Sequence, residues 1–185
     1  QRAGELYESA IQSGLDAALF GHYLAAAAGR KMSTRAPDRY VRETFDNFAP
    51  LFDAKLRELG YDAPRQLAAL VEAVADAPLD IVDLGCGTGQ CGAALAQRKR
   101  RLTGVDLSEK MLAFARGRGV YDDLVATDIH GWLASAPTDA FDLVIAADVF
   151  IYIGALDDVF ADVCRIVRRH GWFAFSIEDS DDADD

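Results

Sequence analysis

Four glycines and one acid stand close together in the segment IVDLGCGTGQCG, Ile81 to Gly92. The glycines are Gly85, Gly87, Gly89 and Gly92, and Asp83 lies two residues before the first of them. Without a Cβ, glycine backbone can take positive φ and approach a ligand closely. The spacing is GxGxG rather than GxGxxG, and a carboxylate beside this loop would repel a pyrophosphate. The segment therefore favours a ligand that carries an ammonium, a sulfonium and a ribose.

Acids also stand at the ends of three later apolar runs. Asp106 lies in RLTGVDL, Asp128 in DLVATDI and Asp148 in FDLVIAAD. If these runs are parallel strands, their carboxyl ends meet at the edge of the sheet where such folds bind ligands. A single acid there could instead cap a helix, and Asp106 before Leu107 and Ser108 is a candidate for that role. Four acids at one edge indicate a binding site.

The elements that must position these acids alternate between strand and helix after Pro78. Segments with helical patterns separate five runs of branched apolar residues. These runs predict the strands LDIVDLG, RLTGVDL, DLVATDI, FDLVIAAD and WFAFSIE. Strands joined by helices imply right-handed crossovers and a parallel sheet covered on both faces. The predicted fold is a doubly wound, mostly parallel α/β sheet. In the last helix, GALDDVFADVCRIVRRHG, the residues expected to face inward are Leu156, Val159, Phe160, Val163, Ile166 and Val167.

The segment before the sheet predicts three helices. One begins at Pro37, Pro50 breaks it so that a second can start before Gly60, and a third follows from Pro64. In the third helix one face is expected to hold Leu67, Leu70, Val71 and Val74. This segment has more aromatic residues than one narrow stripe of a helix can hold, namely Tyr40, Phe45, Phe48 and Phe52. They either pack the segment onto the core or roof a pocket over the glycine loop.

The predicted domain spans residues 37–178. Residues 1–36 indicate two short helices, which are either a plain helical extension or the remnant of a tetratricopeptide array, although no 34-residue repeat is present. Residues 179–185 form an acidic tail. Residues 1–177 hold 24 acids and 19 bases, so the body is only mildly acidic and lacks the basic face of a nucleic-acid binder.

Composition excludes several classes of protein. No apolar run is long enough for a membrane helix and no signal pattern opens the chain, so a cytoplasmic protein is expected. The three cysteines and three histidines form no metal or disulfide pattern. We therefore expect no metal, and we expect Cys86, Cys91 and Cys164 to be buried or partly buried thiols.

The ordered motifs VDLGCGTG, LTGVDLS, ATDI and FDLVIAADVF resemble those of class I S-adenosylmethionine-dependent methyltransferases, from about Leu79 to Glu178. The segment YVRETFDNFAPLFDAKL looks like the helix that precedes the sheet in a branch often fused to tetratricopeptide repeats. The resemblance implies a Rossmann-like methyltransferase fold with S-adenosylmethionine as cofactor.

The resemblance also implies roles for individual residues. Asp83 would hold the cofactor ammonium. The loop glycines Gly85, Gly87 and Gly89 would let the backbone pass close to the methionine part of the cofactor. Asp106 would accept hydrogen bonds from both ribose hydroxyls. The purine slot would be formed by Leu107, Met111, Asp128 and Ile129, although Met111 could equally be a core residue. The pocket is completed by Cys86, Ala147, Tyr40 and Phe45.

Asp148 and Tyr152 are the candidate catalytic residues, because they follow the fourth strand where the substrate of this family faces the methyl group. A general base is needed only if the acceptor arrives protonated. The amino-methylating branches usually carry NPPY or DPPY here, whereas this chain has AADVFIYI, which argues against a nucleic-acid base as acceptor. The expected acceptor is a small molecule or a protein.

Two alternative functions remain from the sequence. A non-catalytic cofactor-binding or interaction module would keep the pocket, and an NAD-dependent oxidoreductase would share the fold. The glycine spacing and Asp83 count against the oxidoreductase.

The family sheet usually has two further strands after WFAFSIE. Because the chain lacks them and begins at Gln1, we expect a fragment. If the end is real, the fifth strand is an exposed apolar edge, and a homodimer through this edge or through the helical extension would cover it.

Overall fold

The computed structural model describes residues 38–75 and 78–177. Helix α1 (Asp38–Phe48) leads through a 3₁₀ turn (Ala49–Leu51) into α2 (Phe52–Glu58), and α3 spans Ala63–Val74. The break predicted at Pro50 is confirmed, because proline can occupy the first turn of a helix but not its interior. Gly60, just after α2, has a φ of +69°, a left-handed conformation typical of helix ends.

Strands and helices alternate over the rest of the described chain. The strands are β1 (Leu79–Leu84), β2 (Lys99–Asp106), β3 (Asp123–Ala126), β4 (Phe141–Ala146) and β5 (Val167–Phe175). The helices between them are α4 (Gln90–Ala94), α5 (Glu109–Gly117), α6 (Ile129–Ser135) and α7 (Asp157–Ile166), with a 3₁₀ turn at Phe150–Tyr152.

The five strands form one parallel sheet in the order β3-β2-β1-β4-β5. In the register of its centre, Val82 of β1 lies between Thr103 of β2 and Val144 of β4. The strand order reverses between β1 and β4, which is where doubly wound sheets open a cleft for ligands. The predicted fold class is confirmed.

Both faces of the sheet are covered because side chains alternate along each strand. On one face, Val82 and Leu84 pack with residues of α6 and α7, including Leu133 and Val163. On the other face, Ile81 packs with residues of α3 and α4. The side chain at position 83 therefore points to the α3 and α4 side, at the carboxyl end of the central strand.

Two predicted helix faces are partly wrong. In α3, Leu67 and Val71 are buried, but Leu70 is 64% exposed and Val74 is 55% exposed. The buried stripe runs instead through small residues, Ala68 and Ala75, which let α3 pack close to the sheet.

The last helix is shorter than predicted and β5 begins earlier. Helix α7 ends at Ile166 and β5 starts at Val167, so Val167 belongs to the strand. The segment RRHG suggested a helix end, yet His170 adopts a φ of +68° within β5, and the β4 register shifts between Phe141 and Leu143. Phe160 is 37% exposed and packs on Phe173 and Phe175 rather than in the centre of the core.

The predictions for residues 1–36 and 179–185 lie outside the described residues. Within residues 38–75 and 78–177, no helix has the length and apolar character needed to cross a membrane. The same residues contain no group of His, Cys, Asp and Glu side chains able to hold a metal ion. Cys86 and Cys91 are buried, whereas Cys164 is exposed, so the expectation for Cys164 is wrong.

Candidate functional site

A cleft of about 1020 Å³ opens at the carboxyl ends of the strands. It is lined by all four strand-end aspartates that the sequence singled out: Asp83, Asp106, Asp128 and Asp148. The other predicted site residues that line it are Phe45, Gly85, Cys86, Gly87, Leu107, Met111, Ile129, Ala147 and Tyr152. Gly89 is buried behind the cleft surface, and Tyr40 lies on α1 with a side chain outside the described structure. The volume reaches the upper end of the range of about 300–1,000 Å³ that is usual for ligand sites.

The loop glycines differ in what surrounds them. A Cβ built on Gly85 would lie 2.4 Å from a methyl of Val149, and one built on Gly92 would lie 2.4 Å from the Tyr121 ring. Among the described residues, the nearest atom to a Cβ built on Gly87 is Phe52 Cε1, at 3.9 Å. Gly87 lines the cleft and has a φ of +52°, a left-handed conformation that glycine adopts without strain. Only Gly87 therefore leaves backbone open to a ligand, whereas Gly85 and Gly92 are small because the protein itself fills the space.

Asp83 is 1% exposed at the end of β1. Its Oδ2 accepts a hydrogen bond from the Tyr121 hydroxyl at 2.6 Å. Burial, together with the nearby negative charge of Asp106, raises the pKa of Asp83 to about 7, although the Tyr121 hydrogen bond acts in the opposite direction. A buried carboxylate near a second acid is stabilised by a cationic ligand.

Asp106 lies at the end of β2 and is held by backbone N–H groups on both sides of the cleft. Its Oδ2 accepts from Gly87 N at 2.9 Å, and its Oδ1 accepts from Ser108 N at 2.8 Å. Asp106 does not cap α5, because Ser108 does so by accepting from Met111 N at 3.1 Å. Burial raises the pKa of Asp106. The Leu107 backbone N–H is a third donor to this carboxylate, whose two oxygens together offer about four acceptor sites, so lone pairs remain for a ligand hydroxyl.

Asp128 and Met111 each have a structural role in addition to lining the cleft. Asp128 caps α6 by accepting from Gly131 N at 3.0 Å. Met111 is 1% exposed on α5, so it is a core residue whose side chain also reaches the cleft.

Asp148 takes a left-handed conformation just after β4, with a φ of +52°. Its carboxylate accepts a hydrogen bond from the Ser176 hydroxyl. The Asp148 backbone N–H in turn donates to the Ser176 hydroxyl oxygen at 2.8 Å. The Tyr61 hydroxyl forms a hydrogen bond with Asp148, and burial together with this bond raises the pKa of Tyr61. No motif in the sequence pointed to Tyr61, which lines the cleft from the turn between α2 and α3.

Aromatic side chains of α1 and α2 form one wall of the cleft. Phe45 packs edge-to-face on Tyr152 at 5.2 Å between ring centroids, and Phe48 packs on Phe52 at 5.5 Å. Helix α1 is also tied to the β2–α5 loop, since the Ser108 hydroxyl donates to Asp46 and Arg42 Nε donates to the Leu107 carbonyl. The three rings line the cleft and pack on one another and on Tyr152, and they are not among the described residues that pack against the two buried core clusters.

The charge of the cleft is one-sided. Among the described residues, its lining holds five aspartates and one histidine, and no lysine or arginine. The added acid is Asp38 on α1, and the histidine is His130 on α6. Burial raises the pKa of the Cys86 thiol, so this side chain contributes a neutral surface. The cleft therefore favours a ligand with positive charge and disfavours an anion.

Comparison with known proteins bears on this arrangement. The family model described as a methyltransferase domain matches residues 82–175. A trans-aconitate 2-methyltransferase of Acidovorax sp. (strain JS42) is 38% identical over 106 residues, which cover 56% of this chain and 40% of that protein. The biotin biosynthesis bifunctional protein BioHC of Saccharophagus degradans is 27% identical over 138 residues, 74% of this chain and 24% of that protein.

A solved TehB-like methyltransferase of Corynebacterium glutamicum shares the fold. The TM-score is 0.58 at 24% identity, with 72% of each chain covered. The chain spans less than two thirds of the length of the curated relatives named above. The family match covers half of the chain and includes the glycine loop and the sheet edge where all four aspartates lie. The chain therefore belongs to the class I methyltransferase domain family, whose methyl donor is S-adenosylmethionine.

Proposed function

We propose that the cleft binds S-adenosylmethionine and transfers its methyl group to a small-molecule or protein acceptor. The observation that carries the proposal is the juxtaposition of Asp83, Asp106 and the open backbone at Gly87 in one cleft. Asp83 would hold the cofactor ammonium and Asp106 the ribose hydroxyls. The purine would lie among Leu107, Met111, Asp128 and Ile129.

The chemical character of these residues fits such a cofactor. Asp83 is buried and Asp106 is half-buried, and loss of hydration raises the pKa of each, so ionising them without a cation nearby is unfavourable. A ligand with an ammonium and a sulfonium brings net positive charge to this pair, with the ammonium at Asp83 and the ribose hydroxyls donating to Asp106. A pyrophosphate would add negative charge to the same place, which disfavours a dinucleotide.

The bound cofactor would supply an electrophilic methyl group, so the chain's own task is to align the acceptor and exclude water. The aromatic wall of Phe45, Phe48 and Phe52 provides the apolar surface for both tasks. Tyr152 packs against Phe45 at the mouth of the acceptor side.

Asp148 is the proposed proton acceptor when the acceptor group arrives protonated. Ser176 and Tyr61 fix the position of its carboxylate by donating to it. The Tyr61 phenol has an ordinary pKa of 10.0, which burial raises further, so it is protonated at neutral pH and able to donate. Asp148 is thus oriented toward the cleft before any acceptor binds.

The acceptor is proposed to be uncharged or cationic. The described lining of the cleft offers five carboxylates and no lysine or arginine to balance an anion. Trans-aconitate, for which one relative is named, is a tricarboxylate and would be repelled by this surface. An amine or a phenol could instead lie against the aromatic wall and Asp148.

Isothermal titration calorimetry with S-adenosylmethionine, S-adenosylhomocysteine and NAD⁺ tests the cofactor. We expect the first two to bind and NAD⁺ not to bind; tight binding of NAD⁺ alone would overturn the proposal. Transfer of a labelled methyl group to matched amines, phenols and carboxylic acids then tests the acceptor. Preference for the carboxylic acids would contradict the charge argument, and cofactor binding with no transfer to any class would indicate a non-catalytic module.

A further inference from the structure

Tyr121 lies between α5 and β3 and reaches the buried end of β1. The segment that carries it is fixed to β2, because Asp122 N donates to the Leu102 carbonyl at 2.9 Å and the Asp122 carboxylate accepts from Leu102 N at 2.8 Å. Lys99 also pairs with Asp122 at 2.9 Å. The ring of Tyr121 is therefore held by a loop anchored at three points.

Three glycines leave the slot that the Tyr121 ring fills. A Cβ built on Gly89 would lie 2.8 Å from Tyr121 Cε2, one on Gly92 would lie 2.4 Å from its hydroxyl oxygen, and one on Gly104 would lie 2.8 Å from Cε1. These glycines belong to the loop, to α4 and to β2. A Cβ on Gly104 would also lie 2.7 Å from Leu124 and 2.9 Å from Cys86. Tyr121, together with these neighbours, therefore explains the small size of the three glycines without a ligand.

The direction of the hydrogen bonds at the Tyr121 hydroxyl is fixed by its two partners. Gly92 N donates to the hydroxyl oxygen at 3.2 Å, so the single hydroxyl hydrogen is left for Asp83 Oδ2 at 2.6 Å. An aligned donor of this kind favours the ionised carboxylate.

We propose that Tyr121 is a positioning residue that orients the Asp83 carboxylate and favours its ionised form, so that Asp83 can receive the cofactor ammonium. The claim that Asp83 receives the cofactor ammonium rests on the proposed function. The claim that Tyr121 orients Asp83 and favours its ionised form concerns the protein without ligand and can be measured separately.

The pH dependence follows from the surroundings of Asp83. The other titratable groups that interact with it are Asp106 on β2, Cys86 in the loop, Cys91 on α4 and Tyr61 before α3. Burial and Asp106 raise the pKa of Asp83 to about 7, whereas hydrogen bonds from Tyr121 and, more weakly, from the Gly92 backbone N–H act to lower it. Removing that bond should raise the pKa further, so that at neutral pH a larger share of Asp83 is protonated and unable to bind a cation.

Tyr121→Phe keeps the ring that fills the slot and removes only the hydroxyl. We expect carbon-13 NMR of the Asp83 carboxyl in the unliganded protein to show a pKa about one unit higher than in the wild type. Ser176→Ala, which removes a hydroxyl donor from Asp148 instead, is the matched control and should leave the Asp83 titration unchanged. An unaltered Asp83 pKa in Tyr121→Phe would overturn the proposal, whether or not the protein is a methyltransferase.

Calorimetry with S-adenosylhomocysteine tests the link to the cofactor. At pH 7.5 we expect Tyr121→Phe to bind about tenfold more weakly than the wild type. In an Asp83→Asn background, adding Tyr121→Phe should have no further effect, because the hydroxyl acts through the carboxylate. Additive losses would show that Tyr121 supports the fold in general and would contradict a positioning role. The two tests can also disagree. If neither the wild type nor any variant binds the cofactor, but Tyr121→Phe still raises the pKa of Asp83, the proposed function fails and the Tyr121 interaction stands.

Discussion

The Asp53 carboxylate on α2 accepts a hydrogen bond from the Thr88 hydroxyl in the glycine loop. The same carboxylate accepts from the Gln90 amide at 3.1 Å and pairs with Arg118, whose Nε donates to the Thr88 carbonyl at 2.6 Å. The helices that wall the cleft are thus attached to the loop beneath it by a polar cluster. This cluster is partly exposed, so it can open without breaking the apolar core.

The first prediction is that the segment from residue 38 to residue 53 opens and closes over the cofactor. The polar contacts that hold it to the rest of the protein include Asp46 to Ser108, Arg42 to Leu107 and Asp53 to Thr88, and few of its described side chains are fully buried. Hydrogen exchange should therefore show protection in this segment that increases when S-adenosylhomocysteine binds. Equal and strong protection in both states would show a static wall.

Asp53→Asn tests the polar cluster directly, because it removes the charge that pairs with Arg118. We expect faster exchange in residues 38–58 and an unchanged rate in β1 and β4. The control is Glu43→Gln, which breaks an exposed pair with Arg39 on the same segment and should leave exchange unchanged.

The second prediction concerns Gly87→Val. A side chain at this position would project into the cleft, since a Cβ meets only Phe52 at 3.9 Å, and the φ of +52° would also be strained. Gly119→Val is the matched control, because Gly119 has a φ of +66° and no atom within 4 Å of a built Cβ, outside the cleft. Both variants should lose similar stability in thermal unfolding, but only Gly87→Val should lose cofactor affinity, by at least about tenfold in calorimetry. Wild-type affinity in Gly87→Val would show that the loop does not contact the cofactor.

The sheet and the four aspartates at its edge could be predicted from the sequence because their signals are local. Each strand is a short run of branched apolar residues, and the acid lies within two residues of its carboxyl end. Parallel pairing then brings the strand ends together without further information.

The partners of those aspartates could not be predicted, because they are distant in sequence. Tyr121 lies 38 residues from Asp83, and Ser176 lies 28 residues from Asp148. Tyr121 also changes the interpretation of Gly92 from a ligand contact to a packing position. Gly92 is small because it accommodates the Tyr121 ring, which no local pattern places beside it. The early start of β5 was hidden for a related reason. Its pairing with β4 begins at Val167 and resumes at Trp172, and the polar residues RRHG lie in the irregularity between these two points, which no local pattern announces.

The third prediction is that Asp106→Ala weakens cofactor binding and also destabilises the fold. The substitution removes the proposed ribose contact, at a cost of about 2–3 kcal/mol or roughly 30- to 150-fold in affinity. It also leaves Gly87 N and Ser108 N without their acceptor, which should cost a further 1–3 kcal/mol or so in unfolding free energy. Calorimetry and urea unfolding measure the two effects. Normal binding by an unstable variant would identify Asp106 as purely structural.

The last prediction is that Asp83→Asn stabilises the unliganded protein while it weakens cofactor binding. The pKa of Asp83 is raised from an ordinary 3.8 to about 7 in the folded state, so the folded state holds this proton more tightly than the unfolded chain does. The contribution of Asp83 to stability is therefore fully present below about pH 4 and is lost as the pH rises to about 7. At pH 8 the ionised, buried carboxylate destabilises the protein by something on the order of 2–4 kcal/mol, which the neutral amide of Asn would avoid.

Urea unfolding of the unliganded proteins at pH 5 and pH 8 checks this expectation. Asp83→Asn should be more stable than the wild type at pH 8, and the difference should shrink at pH 5. Asp123→Asn, which removes a surface ion pair with Arg101, serves as the control and should change stability by less than about 1 kcal/mol at both pH values. If Asp83→Asn is no more stable than the wild type at pH 8, the buried carboxylate is already compensated within the protein, and the argument that it requires a cationic ligand fails with it.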